Sequence, residues 1–122
     1  MALASKLWVP DRRDMILIDF NPQVGAEMKD EHPMLVLSPK AFNERTQLLI
    51  GLQMTHASSN EKNPFAVRLV SPKGEVCYVL AHQPKSFAWR DRGARPHPWK
   101  QVPPTVFEAA CEELNGIISI CV

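Results

Sequence analysis

Residues 15–20, Met15-Ile16-Leu17-Ile18-Asp19-Phe20, and residues 33–38, Pro33-Met34-Leu35-Val36-Leu37-Ser38, set the architecture of this chain. Each is a short apolar run bounded by turn formers, too short for a helix, and so reads as a strand. The first is apolar on both faces, which places it in the middle of a sheet. Asn21-Pro22 opens the polar loop between them, where Gly25 is free to take a positive φ.

Outward from this pair the same pattern repeats. Ser38-Pro39 followed by residues 40–45 suits a short helical turn, with the serine as cap and the proline in the first turn. Residues 47–54 make a third strand in which Gly51 marks a bulge, and residues 55–64 are polar and loop-like. In the fourth strand, residues 65–69, Phe65, Val67 and Leu69 alternate toward a core. Ser71-Pro72-Lys73-Gly74 forms a tight turn, residues 76–81 return as the fifth strand, and Ser86-Phe87-Ala88-Trp89 is a further short run. Residues 90–100 are basic and proline-rich and read as a surface loop. The end of the chain changes period. Thr105 and Glu108 have capping-box spacing, and Phe107, Ala110, Cys111, Leu114, Ile117, Ile118 and Cys121 share one helical face. The expected fold is mostly β: one C-terminal amphipathic helix against a small, curved antiparallel sheet, in a single domain over residues 1–122.

Composition agrees. A chain of 122 residues with 45% apolar and 22% charged side chains is an ordinary globular domain, with no repeat or low-complexity segment. The 11 prolines speak against a helix bundle. The net charge of +1 means that any nucleic-acid footprint has to be local. Three cysteines, Cys77, Cys111 and Cys121, with no close pair give neither a disulfide framework nor a zinc site. No metal or cofactor is expected. No apolar run reaches the length of a membrane span and no signal-peptide pattern opens the chain, so the expected compartment is the cytoplasm.

Candidate chemistry begins with four histidines, since imidazole titrates near neutral pH. His32 stands at the entrance to the second strand, His56 just after the third, and His82 where the fifth runs out. In a small antiparallel sheet such strand ends converge on one rim. The bland reading of each is a solvated or capping side chain. Thr55, next to His56, offers a hydroxyl to a phosphate oxygen, although threonine at a strand end is also common for propensity alone. The segment 89–100 carries Arg90, Arg92, Arg95 and Lys100 against Asp91, a local charge of +3, interleaved with Trp89, His97 and Trp99. Cations beside stacking rings describe a single-stranded nucleic-acid surface. The competing reading is a solvated loop with Trp89 packed in the core. Phosphate-binding glycine loops, nucleophile elbows and His-x-x-x-His metal spacings are absent.

The order of motifs resembles the MazF/PemK (Kid) toxins of bacterial type II toxin–antitoxin modules. The residues that carry the resemblance are Val9-Pro10-Asp11, Asp14-Met15-Ile16-Leu17-Ile18-Asp19-Phe20-Asn21-Pro22, Gly25-Ala26-Glu27 and Pro33-Met34-Leu35-Val36-Leu37-Ser38-Pro39. Thr55, Asn63-Pro64-Phe65, Gln83-Pro84-Lys85-Ser86, Ala88-Trp89-Arg90 and Arg92-Gly93 continue it, so that it spans residues 9–118 in order. It implies a small SH3-like antiparallel β-barrel with a short helix after strand two and a C-terminal helix. It also implies metal-independent endoribonuclease cleavage of single-stranded RNA, typically messenger RNA. The products would be 2′,3′-cyclic phosphate and 5′-hydroxyl ends. The implied partners are a second copy of the chain, with RNA in a groove across the homodimer, and an antitoxin whose acidic, disordered tail folds into that groove.

The match is uneven where the chemistry should lie. Thr55 matches the family's threonine at the end of the third strand. The arginine-proline that opens the second strand is here His32-Pro33. The arginine and aspartate slots of Kid-like members hold Leu80 and His82, and Arg13 replaces a glycine. One reading is rewired catalysis, with His32 and His82 as acid and base, Thr55 orienting the phosphate, and Arg13 or the Arg90–Arg92 segment as clamp. His56, Lys85, Trp89 and Arg95 complete the expected RNA contacts. The alternative is a catalytically weakened relative that binds RNA, an antitoxin or a protein target, as the gyrase poison CcdB, similar in fold, does.

Overall fold

The computed structural model describes residues 7–20 and 31–119. The loop expected around Asn21, Pro22 and Gly25, and Cys121 on the terminal helix, lie outside these residues. Six strands form one antiparallel sheet in the order β4-β5-β3-β2-β1-β6. They are β1 (Asp14–Asp19), β2 (Glu31–Val36), β3 (Leu48–Thr55), β4 (Ala66–Val70), β5 (Val76–Ala88) and β6 (Arg95–Gln101). Helix α1 (Lys40–Thr46) links β2 to β3, and α2 (Pro104–Ile118) ends the fold. The sheet curls until its two edges approach, with Trp99 of β6 and Leu69 and Val70 of β4 lining one cavity of about 310 Å³.

Both faces of the sheet are covered. Met15, Leu35, Leu52, Met54, Cys77, Val79 and Ala81 form the core under α2, which contributes Ala110, Val106, Phe107 and Leu114. Ile16, Ile18, Met34, Val36 and Leu49 form a second cluster on the other face, capped by Val9 and Trp89. Successive strand residues alternate between the two clusters, as the pleat requires. This explains why β1 reads as apolar on both faces.

Several expectations need correction. The fifth strand continues to Ala88 through Pro84. Pro84 pairs with Leu52 of β3, while β4 reaches only Leu80, so a proline without an N–H donor costs no ladder bond on that side. Residues 95–101, expected within a surface loop, form β6; Pro96 and Pro98 are tolerated because β6 is an edge strand. The capping box does not form. Pro103 is the N-cap residue of α2 and Pro104 takes the first helical position, which moves Thr105 one step inside. Nor does Ser38 cap α1, whose N-cap residue is Pro39. The Lys40 N–H is instead bonded by Asp11 Oδ1 at 2.8 Å. Phe65 is exposed rather than in the core.

Asn43 of α1 ties these parts together and is fully buried. Its Nδ2 donates to Pro10 O at 2.8 Å and Ser38 O at 3.0 Å, and its Oδ1 accepts from Ser38 Oγ at 2.6 Å. Its carbonyl accepts from Trp89 Nε1 at 2.9 Å. Gly51 is required for a different reason. A Cβ at that position would stand 2.3 Å from Leu35 O, closer than any real contact.

Candidate active site

The site grows from the place where β2 and β3 part. Met34 pairs with Gln53, and the ladder ends there beside Pro33, which has no N–H to donate. Two residues beyond that last pair are His32 on β2 and Thr55 on β3, each on the same face of its strand as Met34 and Gln53. The row continues, since Thr55 is opposite Tyr78 of β5 and Tyr78 is opposite Arg68 of β4. Residues directly opposite in antiparallel strands project from the same face. His32, Thr55, Tyr78 and Arg68 therefore share one face of the sheet.

Each side chain has a defined setting. The His32 ring lies 5.2 Å from Phe20, which meets Phe87 edge-on at 5.0 Å. Arg92 covers Phe87 at 4.3 Å, and its Nη1 donates to Asp19 O at 3.1 Å and Phe20 O at 3.2 Å. Arg92 thus fixes the support beneath His32. Thr55 Oγ1 accepts from Ala57 N at 3.2 Å. In β5, residues 80–83 stand opposite Gln53 alone, and this irregularity carries His82. The exposed His82 ring lies 5.7 Å from Phe65, with the Gln83 amide nitrogen 3.3 Å from its Nε2. An amide donating there leaves the imidazole proton on Nδ1. Lys85, opposite Gly51, is a further cation on β5.

Other expected site residues lie elsewhere or serve the fold. Trp89 is only 3% exposed, packed edge-on against Trp8 and bonded to Asn43, so its ring is closed to a nucleobase. Its expected RNA-stacking role is corrected to a core role. Arg90 lies over the Trp89 ring at 4.8 Å. Arg95 makes a two-pronged pair with Glu31, at 2.8 and 3.2 Å, which raises its pKa above the ordinary arginine value. Arg13 precedes β1, at the far end from Ile18 and its partner His32. Its φ is 80° and its Nη2 donates to Gln101 at 2.7 Å. Five residues of strand, about 17 Å, separate Arg13 from that end, so it cannot clamp a phosphate held there.

His56 and His97 form a second group around Trp99. His56 Nδ1 donates to Val76 O at 2.9 Å, and its ring meets Trp99 at 6.2 Å. His97 is buried, its Nδ1 accepting from Trp99 N at 3.0 Å, which leaves the proton on Nε2. Burial, then the charges of His56 and Arg95, push its pKa below the ordinary histidine value, while Glu75 acts the other way. Among the described residues, no group of three or more His, Cys, Asp or Glu side chains is placed to hold a metal ion. No helix among them is long and apolar enough to cross a membrane.

Residues 11–118 match the family described as PemK-like, MazF-like toxin of type II toxin-antitoxin system. The chain belongs to the MazF/PemK toxin family. The endoribonuclease toxin MazF of Escherichia coli K12 is 39% identical over 87 residues, 71% of this chain and 76% of that protein. The crystal structure of MazF from Deinococcus radiodurans superposes with a TM-score of 0.79 at 31% identity, covering 93% of this chain and all of that one. The MazE–MazF complex from the same organism gives 0.79 at 30% identity with the same coverage. This likeness confirms the mostly β toxin fold expected from the sequence, as a curled six-stranded sheet with two helices.

Within this MazF-like frame, Tyr78 and Arg68 are additions that the sequence reading passed over. The signal for them was present. Once Ser71-Pro72-Lys73-Gly74 is a tight turn, the hairpin register places Arg68 against Tyr78, and Tyr78 falls beside Thr55 through the β3–β5 pairing.

Proposed function

We propose that this MazF/PemK-family chain is an endoribonuclease toxin that cleaves single-stranded messenger RNA in the cytoplasm without a metal ion. The observation that carries this reading is the shared face of His32, Thr55, Tyr78 and Arg68, with His82 further along β5 from Tyr78. His32 and Thr55 lie past the last β2–β3 pair, Tyr78 and Arg68 follow on β5 and β4, and His82 stands on β5 in the stretch opposite Gln53. In the reaction, one histidine takes the proton of the ribose 2′-hydroxyl as that oxygen bonds to the adjacent phosphorus. The bond from phosphorus to the 5′-oxygen breaks, and the other histidine, protonated, gives its proton to that oxygen. A 2′,3′-cyclic phosphate and a 5′-hydroxyl result. Thr55 orients the phosphate, and nearby donors stabilise the charge that builds on its oxygens.

Histidines suit this work at neutral pH better than the arginine and aspartate they replace, since an arginine stays protonated throughout. Converting either His32 or His82 to alanine should remove about 10²–10⁴ of the rate, and kcat should follow a bell in pH. Losses below tenfold for both would remove the histidine pair from the mechanism.

The proposed assembly is a homodimer that an antitoxin's acidic, disordered tail inhibits. The family membership supports both partners. The exposed Ile117 and Ile118, 45% and 47% accessible, and the groove between Arg12, Leu37 and Leu114 supply an apolar surface for a second chain.

A further inference from the structure

The family's catalytic arginine is absent from the start of β2, yet a site that stabilises a charged phosphoryl group needs a fixed cation. Four of the five arginines expected or found near it are committed. Arg92 is bonded to two carbonyls, Arg95 to Glu31, Arg90 lies on Trp89, and Arg13 is at the wrong end of β1. Arg68 is different. It is exposed, and among the described residues its side chain has no ion pair or hydrogen bond. Its strand partner Tyr78 is 4% exposed.

We propose that Arg68, with the Tyr78 hydroxyl beside it, is the phosphate clamp of this site. It would hold a phosphate of the bound RNA strand next to the one at Thr55. The proposal rests on the ribonuclease reading above and adds a residue that the family pattern does not supply. Arg68 lies two interstrand spacings from Thr55, about 10 Å along the row. A guanidinium on a long, unanchored side chain covers much of that gap and meets a phosphate with two parallel N–H donors. Tyr78 lies between them, where its hydroxyl donates to the same phosphate group. The competing role of Arg68 is a charge that keeps the edge strand β4 from pairing with other chains. That role predicts no effect on RNA.

The test uses the full chain and a single-stranded RNA whose 2′-hydroxyls are all methylated, so that binding is read without cleavage. Binding constants are measured across a range of salt for wild type, Arg68→Gln, Arg68→Lys, Tyr78→Phe and Lys40→Gln. Lys40 is an exposed cation on α1, beyond the other end of β2. Arg68→Gln should lower the log–log salt slope by about 0.7, the value for one phosphate contact on a single strand. It should also weaken binding at low salt by roughly tenfold or more. Arg68→Lys should keep the slope while losing part of the affinity, and Tyr78→Phe should lose about fivefold with the slope unchanged. Lys40→Gln should leave both unchanged. An Arg68→Gln slope equal to wild type, or a Lys40→Gln slope that falls as much, overturns the clamp and leaves the RNA reading standing. Failure of the wild-type chain to bind this RNA overturns both.

Discussion

Asn43→Ala should destabilise the fold by about 3 kcal/mol. The substitution takes away an amide that donates to Pro10 O and Ser38 O and accepts from Ser38 Oγ, all within a fully buried setting. Ser38 Oγ retains an alternative acceptor in Ile50 O at 3.4 Å, so its loss is small. The two carbonyls become unpaired in the interior, each costing ~1–3 kcal/mol. The better helix propensity of alanine returns about 0.5 kcal/mol. For a domain of this size the melting temperature should fall by roughly 10–15 °C. Urea titration gives the free energy directly, and an unchanged m-value would show that the unfolded state is not responsible. A double-mutant cycle with Ser38→Ala should give a coupling of about 1–2 kcal/mol. A loss below 1 kcal/mol with no coupling would refute the view that this amide joins the N-terminal segment, α1 and the Trp89 turn.

Three further outcomes follow from particular side chains. Gly51→Ala should cost about 1–3 kcal/mol in denaturant titration, because its Cβ would force β3 away from Leu35 O. His97 is held below its ordinary pKa, so the unfolded chain binds the extra proton more readily. Stability is therefore fully present above about pH 6.5 and lost as pH falls through that value toward the folded pKa; His97→Gln should flatten this slope in unfolding measured between pH 5 and 7. Burial lifts the Cys77 thiol to about 11, so peptide mapping after alkylation of the native protein at pH 8 should find Cys77 unmodified.

The sequence carried the fold well where local pattern and packing agree. The β1 and β2 runs, the Ser71-Pro72-Lys73-Gly74 hairpin turn and the apolar face of α2 through Leu114 are all local signals, and each forms, while Ile117 and Ile118 stay exposed. It failed where the tertiary setting overrides a local rule. In the sequence Pro84 falls outside the strand read over residues 76–81, and Pro96 and Pro98 fall in a loop, yet their strands lack a neighbour on one side and can accommodate them. Trp89 beside Arg90 and Arg92 reads as a stacking surface. Only the bond to Asn43, 46 residues away, reveals that it is core. Thr55 and His32 stand out because strand ends and family slots both point to them, whereas His82, read at the end of the fifth strand, lies within β5 and keeps only its family slot. Arg68 and Tyr78 carry no motif, and their place in the proposed site rests on pairing register alone.

The most direct test of the ribonuclease account is to incubate the purified chain, free of antitoxin, with a long single-stranded RNA in excess EDTA and map the fragment ends. A Thr55→Ala protein prepared in the same way controls for contaminating nucleases. The account predicts site-specific cuts bearing 2′,3′-cyclic phosphate and 5′-hydroxyl ends, lost with Thr55→Ala. Intact RNA, or the same cuts from the Thr55→Ala protein, would contradict it.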